Sequence, residues 1–348
     1  MKIKVLSLLI AATLSQSLAA DIPRTANGKP DLNGNYNTAT LTPLQRPIAF
    51  GDSLYLSKEA ADKIVAAVAA EKAEGDKQID GDREAPPAGG DGSQGAAGNV
   101  GGYNSFWIDN GDSRFEIDGK FRTSIIYKPD NGRLPKMLPV AQKRLSKLYA
   151  RYAKKNTGSA WWLETDGPGP YDGPESNTPS DRCLQGFGST GGPPMMPVLY
   201  NNYKQIIQSE DHIMILVEMV HDVRTIRLNS EHISRDIRKW MGDSIGHWEG
   251  DTLVVDTTNF TDTPGFGRAT RDLHVVERFT LKEDNTLHYQ FTAEDPNTWS
   301  EPWSGEYPWP RSDSPVYEYA CHEGNYAMGN ILRGARILEA ETTQKAKN

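Results

Sequence analysis

From about residue 196 the chain alternates apolar and polar positions with a period of two, as strands with one buried face do. Tyr203–Gln208 and His212–Leu228 are apolar and β-branched on either side of Ser209-Glu210-Asp211. Ile245–Trp248 and Thr252–Thr257 flank Glu249-Gly250-Asp251, and His274–Lys282 and Thr286–Ala293 flank Glu283-Asp284-Asn285. Turns this tight join antiparallel neighbours, because parallel pairing requires a long crossover. A meander of such strands must hide its edges, and closure does so. The pattern therefore predicts a mainly β protein, with an antiparallel, strongly curved sheet or calycin-like (lipocalin-like) barrel over 196–335.

The preceding part, 21–195, reads differently, as an extended segment followed by a helical, loop-rich cap on that barrel. Ser57 is placed to cap a helix over 58–74 whose apolar stripe is Ile64, Val65 and Val68. Residues 84–102 are rich in Gly, Ala and Pro and read as a mobile loop. A strand and a Pro-Asp-Asn-Gly turn are expected over 121–135, and a basic amphipathic helix over about 140–155. Residues 336–348 read as a C-terminal tail.

Residues 1–20 carry Lys2 and Lys4, an apolar run from Val5 to Leu14 and small residues up to Ala19 and Ala20. This is the pattern of a secretory signal peptide cleaved near Ala19/Ala20. The run is too short to span a bilayer, which takes ~20 residues, and no second one follows, so a periplasmic or secreted protein without a membrane span is expected. In an oxidising compartment Cys183 and Cys321 read as a disulfide, with a reactive or metal-binding thiol beside His322 as the alternative.

One charge stands out. With Leu281 opposite Leu287, Val275, Glu277, Phe279 and Leu281 share a face with Leu287, Tyr289, Phe291 and Ala293. Glu277 is then a carboxylate on an apolar surface, and it requires either a buried arginine partner or a wet ligand cavity. All 7 histidines lie between 212 and 322. If 212–228 is one strand, His221 shares a face with Arg227, while Glu218, Asp222 and Arg224 point the other way. A catalytic reading assigns proton transfer to Glu277, His221 and Asp222, and anion or substrate binding to Arg224, Arg227, Tyr289 and His322. Trp299 and Trp303, among the prolines of 297–310, read as an apolar lid or as a stacking platform for a sugar or aromatic ring.

A net charge of −8 without a basic cluster argues against nucleic acid as a partner. There is no Gly-x-Ser-x-Gly elbow, P-loop or dinucleotide fingerprint, and no zinc-ligand spacing, so neither a cofactor nor a metal is expected. The reading is a protein holding a small carbohydrate or aromatic/apolar molecule in a barrel cavity, with acid/base lyase, isomerase or hydrolase chemistry. A non-catalytic lipocalin-like binder and a structural envelope module are the alternatives.

Six segments together resemble a widespread, uncharacterised family of exported bacterial proteins: DIPRTANGKPDLNGNY, LTPLQRPIAFGD, RTSIIYKPDNGRLP, WMGDSIGHWEGDTLVVDTTNF, LHVVERFTLKEDNTLHYQFTAEDP and YEYACHEGNYAMGNILRGAR. The resemblance implies export and a two-part organisation and carries no activity. Where that family often has a His-Ser pair before the LHVVERF segment, this chain has Arg268-Ala269-Thr270-Arg271.

Overall fold

A computed structural model describes residues 22–77, 82, 84, 108–153, 158–167, 169–186, 190–262, 264, 266, 268–282 and 285–347. Residues 1–20, where a signal peptide is expected, lie outside the described residues, as does 84–102 apart from Glu84.

The molecule is built on a closed nine-stranded barrel. Its staves are β1 (Gly34–Asn37), β6 (Tyr203–Gln208), β7 (His212–Val217), β8 (Val223–Leu228), β9 (Asp243–Glu249), β10 (Thr252–Thr258), β11 (His274–Leu281), β12 (Thr286–Glu294) and β13 (Trp303–Ser312), in that order around the ring. A ring with an odd number of staves cannot alternate direction throughout. One neighbouring pair must be parallel, and here it is β8 and β9, registered through Ile226↔Ser244 and Leu228↔Gly246. The crossover that this pair requires is the 229–242 segment. Every other neighbour is antiparallel.

Closure depends on short strands that the alternation pattern does not flag. On the side away from β12, β13 pairs with β5 (Ile126–Lys128) at its start and with β1 at Ser312 and Arg311. Between these contacts lie Pro308 and Pro310. Glu306, of the same parity, sends its N–H away from β12 to the Ile125 carbonyl (3.0 Å). The two prolines therefore fall where no ladder partner asks for an N–H. A small sheet of β2 (Tyr55–Leu56), β3 (Glu116–Ile117) and β4 (Lys120–Arg122), in the order β2-β4-β3, covers this flank. Arg122 of β4 pairs with Glu306 there, both of them buried.

Three helices complete the chain: α1 (Lys58–Gly75), α2 (Pro139–Ala153) and α3 (Tyr326–Lys347). Ser57 caps α1 by accepting the Ala60 N–H at 3.2 Å. The 336–347 stretch continues α3 instead of forming a tail. Its Ala335 packs with Trp162 and Ala160, and Glu339 accepts the Trp162 indole N–H at 2.6 Å.

Three local expectations need correcting. His212–Leu228 is not one strand: a 3₁₀ turn at Met219–His221, with Val220 and His221 at φ 61° and 47°, folds it into the β7–β8 hairpin. The 121–135 strand splits at Thr123–Ile125, so that β4 and β5 serve different sheets. Of the aromatics expected as a lid or platform, Trp303 instead belongs to β13, and Trp303, Tyr307 and Trp309 have no exposure at all. They fill the interior with Phe279, Tyr289 and Phe291, ring centres 4.7 Å apart for Tyr289 and Trp309 and 5.4 Å for Phe291 and Trp303. Gly305 is required here, since a Cβ would run into the Phe291 ring.

Candidate functional site

The β11–β12 ladder has Leu281↔Leu287 and Glu277↔Phe291, and Glu277 points into the barrel with no exposure. Its partner is Arg224 of β8. Nη1 of the guanidinium donates to Glu277 Oε1 at 2.9 Å and Nη2 to Oε2. Nε donates to Ser244 Oγ of β9 (3.0 Å) and Nη2 also to Thr257 Oγ1 of β10 (2.9 Å), while Tyr289 of β12 donates its hydroxyl to Glu277 Oε1 (2.8 Å). Five consecutive staves thus give one polar group each to a stripe along the inner wall. Burial and the adjacent carboxylate raise the Tyr289 hydroxyl well above its ordinary range, so it stays a proton donor.

The barrel mouth above this stripe is occupied by the chain itself. Residues 190–196 are buried, and Met195 donates its N–H to the Tyr289 hydroxyl (2.9 Å) and accepts from the Tyr307 hydroxyl at its carbonyl (2.9 Å). Both side chains are buried, and every polar atom of the pair has at least one partner within the chain.

The other residues singled out in the sequence do not gather around Glu277. His221 is exposed at the β7–β8 turn, with Nδ1 3.1 Å from the Tyr319 carbonyl. Despite the turn, His221 and Arg227 both face outward and Arg224 inward, the grouping that alternation implies. Arg227 sits on the outer wall, donating to Asp243 (2.7 Å) and Ser230 (2.9 Å). Trp299 is 4% exposed and packs on Trp303 and Phe266. His322 is exposed beside the Cys183–Cys321 disulfide. Asp222 is drawn against the plug, where loss of solvent raises its carboxyl to about 6. Its Oδ2 has no hydrogen-bond partner among the described residues.

Two features escaped the sequence reading. Lys204 lies on the inward face of β6 with Ile206, has no exposure, and its Nζ is unpartnered among the described residues. Desolvation pulls its pKa down to about 7 against the opposing pull of Glu218 and Asp222. The alternation rule that found Glu277 would have flagged it, as a second charge on an apolar strand face. The other feature is a cavity of about 610 Å3 beside the plug. Its apolar wall comes from five separate stretches: Leu41 and Leu44, Val68 of α1, Ile125, Met196–Tyr200, and Met219. Asn110 also lines it, and its buried Oδ1 has no partner among the described residues. No periodicity marks such a site, because its walls come together only when the barrel closes.

Among the described residues no group of three His, Cys, Asp or Glu is placed to hold a metal, and no helix is long and apolar enough to cross a membrane. No family model, curated protein or solved structure matches the chain.

Proposed function

We propose that this protein binds an apolar or aromatic small molecule in the cavity beside the plug, without converting it. The observation that carries this reading is the cavity itself. About 610 Å3 lies within the range of small-molecule sites, ~300–1,000 Å3. Most of the lining side chains are apolar, Leu41, Leu44, Val68, Ile125 and Val198 among them. Burial of Trp299 and Trp303 removes the stacking surface that a sugar would use. The closed ion pair at Glu277 favours binding over acid–base turnover. The Cys183–Cys321 disulfide suits an oxidising compartment, which fits a protein that carries or sequesters its ligand outside the cytoplasm.

N-phenyl-1-naphthylamine, an aromatic amine with one N–H, is a direct probe. Its fluorescence is expected to rise saturably on binding, with a micromolar Kd. Val68→Trp, which fills the cavity from α1, is expected to weaken binding at least tenfold and leave the unfolding midpoint unchanged. Equal binding by the variant would sink the assignment.

A further inference from the structure

A second cavity, of about 390 Å3, opens on the outer wall where two connections meet. It is lined by Arg235, Arg238 and Arg271 together with Thr258, Asn259, Asp272 and His274. The parallel β8–β9 pair forces a crossover outside the barrel, and that crossover carries Arg235 and Arg238. The 259–273 connection carries Arg271. Backbone bonds tie the two connections together: Lys239 N–H to the Asn259 carbonyl (3.0 Å) and Thr261 N–H to the Lys239 carbonyl (3.1 Å). Arg238 Nη1 adds a bond to the Arg271 carbonyl at 3.1 Å.

The charges around this cavity are unevenly matched. His274 donates from both ring nitrogens, to Asp256 Oδ2 and Glu294 Oε1 at 2.8 Å each, and so carries a full charge already balanced by carboxylates. Arg271 pairs with Asp262, and Asp272 accepts the Asn297 amide (2.7 Å). Arg235 has no hydrogen bond or ion pair among the described residues, and Arg238 spends a single N–H on a carbonyl. Asp262, the carboxylate within electrostatic reach of Arg238, is already bonded to Arg271, so Arg235 and Arg238 keep most of their N–H donors for a ligand at this cavity. Guanidinium forks match the oxygen spacing of carboxylates and phosphates, and bidentate pairing is their strongest use.

We infer that this cavity is an anion site, in which Arg235 and Arg238 clamp a carboxylate or phosphate group of a soluble small molecule. It is separate from the apolar cavity and independent of what that cavity holds.

The test is calorimetric titration of the full mature protein with inorganic phosphate and with citrate. At least one is expected to bind at a single site with a Kd below 1 mM, and the double variant Arg235→Gln/Arg238→Gln is expected to weaken it tenfold or more. Removing two exposed cations elsewhere, Lys63→Gln/Lys143→Gln, is expected to leave the Kd within twofold. That control separates a site from a general charge effect. An unchanged unfolding midpoint confirms that the arginine variant is folded, and if it is not, Arg235→Lys alone is expected to lose at least threefold. The inference is overturned if neither anion binds saturably, or if the arginine and lysine variants weaken binding equally. It is overturned too if only phosphatidylglycerol vesicles are retained.

Discussion

Arg224 and Glu277 stand 53 residues apart in sequence and meet inside the barrel, the guanidinium on β8 donating to both carboxylate oxygens on β11. Two staves lie between them, and each contributes a hydroxyl to the same arginine, Ser244 from β9 and Thr257 from β10. The pair spans four strands and ties the parallel junction to the hairpins that follow it. Its value therefore lies in which strands become neighbours as much as in net stability, since a buried ion pair roughly breaks even against well-packed apolar residues.

Removing one partner strands the other charge in a dry interior. Glu277→Leu is expected to cost about 3–5 kcal/mol in urea unfolding, and Arg224→Met a similar amount. The double variant Arg224→Met/Glu277→Leu should recover most of that loss, giving a coupling energy of at least ~2 kcal/mol in a double-mutant cycle. Costs that simply add would show that the two side chains do not depend on each other.

Lys204 is expected to act in the opposite sense. Its amine is buried without a partner among the described residues, so Lys204→Met should stabilise the protein by about 1–3 kcal/mol at neutral pH. The pH dependence follows from a pKa lowered from 10.5 to about 7 on folding. Between those values the unfolded chain holds the proton and the folded chain does not, so this group makes stability rise as pH climbs from 7 towards 10. Unfolding curves of the native protein and the Met variant across that range measure the difference directly.

His274 moves the other way. Hydrogen bonding to Asp256 is the main reason its pKa lies at about 9, above the ordinary 6.5, despite partial burial. A raised imidazole contributes fully below the unfolded value and loses its contribution as pH rises through 9. A ring titration followed by NMR should give a midpoint near 9, and Asp256→Asn should bring it back towards 6.5. A native midpoint near 6.5 would show that the two carboxylates do not hold the ring.

The Cys183–Cys321 bridge closes a loop of 138 residues with its Cα atoms 5.8 Å apart. Chain-entropy reasoning gives ~5 kcal/mol for a closure of that length as an upper figure. Cys183→Ser/Cys321→Ser is expected to lose several kcal/mol in unfolding assays while keeping the β circular-dichroism signature. A loss below ~1 kcal/mol would mean that the unfolded chain is already constrained between these residues.

The β11–β12 register and the burial of Glu277 were legible from alternation alone, because a period-two pattern with one buried face permits a single pairing. The break at Val220 was not: a β-branched residue at positive φ defies its local preference and is held there by the packing around it. Nor was the strand that closes the barrel: Gly34–Asn37, which pairs with both β6 and β13, is too short and too polar to read as a strand. The parallel β8–β9 pair was hidden because its crossover looks like an ordinary loop. Arg224 could be named as a candidate, but its pairing with Glu277 depends on that junction and so lay beyond the local pattern.

Anomalous scattering from a brominated naphthylamine bound in a crystal of the protein would locate the ligand site without reference to activity. The expected result is a bromine peak between Leu41, Val68 and Leu199, with the Arg224–Glu277 pair and the Met195 contacts undisturbed. A peak inside the barrel against Glu277 and Tyr289, with Met195 displaced, would contradict the assignment of ligand binding to the cavity beside the plug.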